Sequence, residues 1–176
     1  MIAFPIGVSG QRLIFSPTVL AHFDRHRQTR WWRREAGGQL FARFALPDIQ
    51  VEEATGPRRS DRRTRNSYSP DRLAEQYEIT IRHASDLHFI GDWHTHPEPT
   101  PSSSQQDGES MRNLVAESRH VLNAFVLVIV GCNPVPSGLS VSLFDSENEF
   151  VLHPESVESE GSKVCYPRHG EGLDLC

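Results

Sequence analysis

The chain has 176 residues and a net charge of −5, with 37% apolar, 23% charged and 9% aromatic residues. That length serves one domain and leaves no room for a second large one, and the charge balance excludes a strongly cationic protein. The longest apolar run, Ala124 to Val130, is far short of the ~20 residues that span a membrane, and the opening lacks the basic segment of a secretory signal. No membrane partner is expected, and the expected location is cytoplasmic.

After a short β-like opening, Gln11 to Phe15 runs into Ser16-Pro17, an N-cap and first-turn pair. Val19, Leu20 and Phe23 follow at helical spacing, which predicts a helix from Pro17 to Gln28. Arg25, Arg27, Arg30, Arg33 and Arg34 cluster at and after its end, and Gly37-Gly38 ends that stretch. Gln39 to Ala45 and Ile49 to Ala54, joined at Pro47-Asp48, have strand composition and predict a hairpin. The segment Gly56 to Asn66, with arginines 58, 59, 62, 63 and 65, is polar and without period, as a solvated connection would be.

Ser69-Pro70 opens a second predicted helix whose apolar face is Leu73, Tyr77, Ile81 and Ala84. Leu87 to Trp93 reads as a strand leading to His94, followed by a loop that Pro97, Pro99 and Pro101 impose. Ser104 to Ser118 carries Met111, Leu114 and Val115 on one helical face, and Ala124 to Val130 reads as a strand apolar on both faces. Strands near Leu139 to Phe144 and Glu149 to Leu152 complete a domain over residues 1–152, and residues 153–176 form a polar tail. The expected class is α/β, a mixed β-sheet flanked by about three helices in a sandwich.

Chemistry concentrates between His94 and Asp107. If strand geometry runs through His94 and His96, their side chains leave one face with Cβ atoms roughly 6.5–7 Å apart, a span two imidazoles close on one metal ion. Asp107, beyond the proline loop, offers a third ligand. Ser104 and Asp107 also match a helix capping box, so Ser104 either starts a helix or offers its hydroxyl to a reacting oxygen. Cys132, Cys165 and Cys176 form no CxxC pair, which argues against a disulfide framework or a cysteine zinc site. The cysteine-pair pattern of zinc deaminases and a helical H-E-x-x-H are both absent, and His22, His26, His83, His88, His120, His153 and His169 have no comparable spacing.

H-x-H, seven residues, then S-x-x-D resembles the signature of the JAMM (JAB/MPN-plus) metalloproteases; His94, His96, Ser104 and Asp107 fit it without a gap, with Gly91, Trp93 and Pro97 in the expected setting. Glu35, before Gly37-Gly38, matches the upstream glutamate of that family. Ala42, where many members have glycine, departs from the pattern and bears on strand packing rather than chemistry. The resemblance covers roughly Arg12 to Leu152. It implies the cytidine-deaminase-like JAMM/MPN sandwich and one Zn2+ per chain held by His94, His96 and Asp107. It further implies Glu35 as the general base passing a water's proton to the leaving amine, and Ser104 as donor to the oxyanion. Taken alone, Glu35 is also consistent with a solvated acid after Arg33 and Arg34.

The Glu35-Ala-Gly-Gly opening and Gly-Asp-Trp-His-Thr-His-Pro-Glu look most like bacterial JAMM proteins of anti-phage cyclic-oligonucleotide signalling operons. That resemblance implies a conjugated protein substrate with an extended C-terminal tail: a nucleotidyltransferase joined to a target amine by ubiquitin-like ligase machinery. A JAMM peptidase acting on a sulfur-carrier or other ubiquitin-like β-grasp protein is the alternative, and a metal-free scaffold is disfavoured because all five positions are filled. Nucleic acid is not an expected partner, since the total charge is acidic and no interleaved aromatic platform accompanies Arg58 to Arg65. That basic segment either recognises an acidic patch on the conjugated protein or is a solvated connection.

Overall fold

Alternating and continuous apolar runs become eight strands, a short polar ribbon adds two, and three capped stretches become helices, over residues 1–155, which the computed structural model describes. In chain order these are β1 (Ile2–Ile6), β2 (Gln11–Phe15), α1 (Pro17–His26), β3 (Gly37–Ala45), β4 (Asp48–Ala54), β5 (Arg62–Arg63) and β6 (Tyr68–Ser69). They continue as α2 (Arg72–His83), β7 (His88–Thr95), α3 (Gln105–Glu117), β8 (Phe125–Val130), β9 (Leu139–Phe144) and β10 (Glu149–Leu152). Eight strands form one sheet in the order β1-β2-β4-β3-β7-β8-β9-β10, and β5 pairs only with β6. The pairs β2/β4 and β7/β8 are parallel and the rest antiparallel. The expected mixed sheet flanked by helices is what forms.

The continuous apolar run explains the layering. All six residues of β8 are buried; Val126, Val128 and Val130 join the core beneath α1 with Val19, Phe23 and Trp93. Phe125, Leu127 and Ile129 face the other way, onto Met111 of α3. β7 lies between β3 and β8 at the centre of the sheet, so its end is held from both sides. Gly91 makes that close packing possible: at φ +144° an added Cβ would stand 1.9 Å from the Val126 carbonyl oxygen. Ala42 is fully buried at the bulge where β3 shifts register against β4.

Three expectations need correction. The first helix ends at His26 rather than Gln28, because Gln28 turns inward and its side chain bonds to other segments. The Gly56 to Asn66 segment is not a free connection: Arg63 pairs with Tyr68 in the β5/β6 ribbon. Ser69 therefore belongs to that ribbon, and Asp71 caps α2 instead, accepting from the Leu73 and Ala74 N–H groups at 3.1 and 3.2 Å.

The third correction is the face of α2. Leu73, Tyr77 and Ile81 are exposed at 85%, 67% and 47%, whereas Glu75 is 4% exposed. The helix docks through charge: Arg58, reaching in from the preceding segment, donates to both Glu78 carboxylate oxygens at 3.0 and 2.7 Å and lies 3.6 Å from Glu75. A helical period locates a stripe, and the stripe that is buried depends on what stands opposite, here a buried guanidinium. The polar tail read from residue 153 lies outside the described residues from 156 onward.

Candidate active site

Strand geometry does carry through the histidine pair. His94 pairs with Gly37 on one side and Ile129 on the other, and the His96 N–H donates to the Val130 carbonyl at 3.0 Å. Alternation sends both imidazoles into one cleft and buries Thr95 between them on the opposite face. Their Nε2 atoms face each other at 3.0 Å. Asp107, in the first turn of α3, brings Oδ1 to 3.2 Å from His94 Nε2 and Oδ2 to 3.6 Å from His96 Nε2.

The two imidazole nitrogens, and each imidazole with its nearer Asp107 oxygen, are 3.0 to 3.6 Å apart, close to the edge of about 3.3 Å of a tetrahedron with metal–ligand bonds near 2.0–2.1 Å. Two imidazole Nε2 atoms at 3.0 Å share one proton as a hydrogen bond, or, when neither carries one, turn both lone pairs toward a common cation beside the Asp107 carboxylate. The donor set therefore fits a divalent metal of the zinc type.

Glu35 stands immediately before β3, and one of its oxygens lies within 4.8 Å of both imidazole ligand atoms. It is buried, and its carboxylate makes no hydrogen bond with any described residue. Burial pushes its pKa up to about 7, opposed by the nearby His94 and reinforced by Asp107. For Asp107, burial also pulls upward, but the contacts to His94 and the Ser104 hydroxyl and N–H hold it well below the carboxylate range. One acid is thus kept ionised among donors while the other is poised to take a proton.

Ser104 satisfies the capping-box reading in full. Its Oγ accepts from the Asp107 N–H at 3.2 Å and donates to Asp107 Oδ2 at 2.7 Å, while the Ser104 N–H donates to the same oxygen at 2.8 Å. The bonds that start α3 also aim Asp107 at the imidazoles. All five residues singled out in the sequence line one cleft of about 500 Å³, with Asp92 and Met111 on its walls. Asp92, Arg72, Glu75 and Ser110 are shared with a larger trough of about 1270 Å³ between α2 and α3.

Residue-by-residue reading of the sequence missed the groups that hold this cleft together. Thr95, fully buried, accepts from the Ala36 N–H at 3.0 Å and donates to Gln28 Oε1 at 2.9 Å. The Gln28 amide nitrogen donates to the carbonyls of Arg65 at 2.8 Å and Arg33 at 3.3 Å. One buried glutamine thereby ties the histidine strand to the Glu35 segment and to the turn between β5 and β6. Glu35 is bracketed further: its N–H donates to the Thr64 carbonyl at 2.8 Å and its carbonyl accepts from Arg63 Nε at 2.5 Å. The sequence offered Gln28 only as the polar last residue of the first predicted helix.

Residues 18–143 match the family described as prokaryotic homologs of the JAB domain. A protein of Pseudomonas aeruginosa named CD-NTase/cGAS isopeptidase is 33% identical over 132 residues, 69% of this chain and 78% of that one. A probable metalloprotease of Sinorhizobium fredii is 33% identical over 90 residues, 49% of this chain and 55% of that one. Among solved structures, a protein of Desulfitobacterium hafniense matches with a TM-score of 0.59 and 15% identity, covering 79% of this chain and 88% of that one, a likeness of fold.

Proposed function

The chain belongs to the prokaryotic JAB-domain family, and on that premise we propose that it is a zinc-dependent isopeptidase. The proposed reaction cuts the bond after the C-terminal tail of a conjugated protein, a cyclic-oligonucleotide synthase of bacterial antiviral defence, in the cytoplasm. The observation that carries this reading is the convergence of His94, His96 and Asp107 on one point with an unpaired, buried Glu35 at its edge. Relatives named as an isopeptidase and a metalloprotease support peptide-bond hydrolysis, and the first name supports the synthase as substrate.

In this proposal His94, His96 and Asp107 hold one zinc, which when bound acidifies water and polarises the scissile carbonyl. Asp107 is assigned as ligand rather than Glu35 because its oxygens are nearer both imidazoles and it is held ionised. Glu35, with a pKa raised to about 7, accepts the proton of the attacking water as its oxygen bonds the carbonyl carbon. The Ser104 hydroxyl turns from Asp107 to donate to the oxygen that gains negative charge. When the carbon–nitrogen bond breaks, Glu35 returns its proton to the departing amine, leaving a C-terminal carboxyl and a free amino group.

The test is incubation with the synthase joined through its C-terminus to a reporter protein, with mass spectrometry of the cut. Cleavage directly after the synthase carboxyl is expected, abolished by chelator and restored by zinc. Glu35→Gln should lower kcat by about 10²–10⁴-fold with one zinc still bound. Inertness toward the synthase fusion together with cleavage of a sulfur-carrier fusion would move the substrate to β-grasp proteins. A protein that binds no zinc after chelation and reloading would overturn the mechanism.

A further inference from the structure

Two arginine runs far apart in sequence meet on one surface. Arg63 donates to the Arg34 carbonyl at 3.4 Å, Arg65 donates to the Trp31 carbonyl, and Gln28 bonds the Arg33 and Arg65 carbonyls together. Arg30, Arg33, Arg34, Arg62 and Arg65 are exposed there. In these two runs Arg27 and Arg58 are ion-paired; among the described residues the exposed arginines have no carboxylate partner. In the middle stand Trp31 and Trp32, exposed at 75% and 58%. A chain of net charge −5 thus concentrates unbalanced positive charge and bare indole on one face, joined through Glu35's own backbone to the lip of the cleft.

We propose that this face, Trp31 and Trp32 within the arginines of residues 30–34 and 62–65, docks an acidic and partly apolar surface on the body of the protein whose tail enters the cleft. The proposal rests on the isopeptidase reading and adds where the substrate's globular part is held. Tryptophan and arginine are the residues that most often dominate interface energy, and unpaired cations steer an acidic partner toward encounter. A nucleic acid fits less well. The indole rings are perpendicular, with an interplanar angle of 90°, so they offer no platform for successive bases, and the Arg30 guanidinium already covers Trp32 at 5.2 Å. Arg58, which the sequence grouped with this patch, is excluded from it because it is spent on Glu75 and Glu78.

Two variants test the face without touching the bonds that hold it: Trp31→Ala/Trp32→Ala and Arg30→Ser/Arg34→Ser/Arg62→Ser. The substrates are a Pseudomonas aeruginosa CD-NTase joined at its C-terminus to green fluorescent protein, and a short peptide with the same terminal residues joined to the same reporter. Each variant should lose about tenfold or more in kcat/KM on the full fusion, mainly through KM, and keep its rate on the peptide. The loss in the arginine variant should shrink as salt rises. Titrating the unconjugated synthase into wild-type protein should shift the emission of the exposed tryptophans to the blue, and the arginine variant should abolish the shift. Equal losses on both substrates, or none, would overturn the proposal. If wild-type protein cuts neither substrate but shows the arginine-dependent shift, the surface stands and the isopeptidase reading falls. Salt-dependent binding of a labelled single-stranded DNA that both variants abolish, with fusion cleavage unchanged, would reassign the face to nucleic acid.

Discussion

Ser104 is one residue with two duties that respond differently to mutation. Its hydroxyl caps α3 and fixes Asp107, and in the proposed reaction it turns to the developing oxyanion. Ser104→Ala should lower kcat by about 10²–10³-fold, the cost of one oxyanion donor, with KM little changed and about 1 kcal/mol of cap stability lost. Steady-state kinetics beside thermal denaturation separates the two; loss of stability with kcat intact would leave capping as its only role. Thr95 argues the same way from the buried side. Thr95→Val keeps the shape but strands the Ala36 N–H and Gln28 Oε1, so about 1–3 kcal/mol of stability should go. Activity should fall through kcat, since the Glu35 segment keeps only its backbone pairing to the histidine strand. Thr95→Ser should restore both.

At the scale of elements, α2 shows how a charged contact can outrank an apolar one. Arg58 and Glu75 have side chains 10% and 6% exposed, and the helix carries its apolar residues outward. Removing Arg58 leaves buried Glu75 with Arg72 at 3.0 Å and partly exposed Glu78 with Arg82 at 3.8 Å, so Arg58→Ala should cost about 1–3 kcal/mol, measurable by denaturant unfolding. The loss should reach the cleft, because the same segment continues into Arg63 and Thr64, which bracket Glu35. The hairpin, the two later strands and the capped start of α3 were legible in the sequence because each is decided locally, by alternation, turn residues and a cap. The β5/β6 ribbon was not: two-residue strands carry no period, and their pairing depends on contacts with the Glu35 segment.

At the scale of the molecule, stability should depend on pH through the core face of α1. His26 packs on Trp93 with ring centroids 5.7 Å apart, and burial, then the charges of His22 and Arg25, lower its pKa from 6.5 to about 4. Between those values the unfolded chain binds a proton that the folded chain refuses, so stability is full above about pH 6.5 and declines as pH falls toward 4. Glu35 and Asp92, raised to about 7 mainly by burial, act in the opposite sense. The difference between wild type and His26→Gln therefore isolates the histidine: melting temperature should drop more steeply in the wild type from neutral pH to pH 5. Parallel curves would remove His26 from the pH response.

The sequence by itself carried the class of fold and, through its family resemblance, the five residues that line one cleft. Four of them share one short stretch where strand alternation, a proline loop and a helix cap leave little freedom, and the fifth precedes a glycine pair. Gly38 must be bare because an added Cβ would stand 1.9 Å from the Thr55 carbonyl oxygen. Tertiary structure alone decided which face of α2 is buried, that Gln28 and Thr95 lock the Glu35 segment to the histidine strand, and that residues 30–34 and 62–65 form one surface. The physical reason is common to all three. Spacing along a chain records what neighbours do within a turn or a strand, whereas a buried guanidinium, a shared amide and a converging pair of loops find their partners in other segments of the chain, and only closing the fold brings them within hydrogen-bond range.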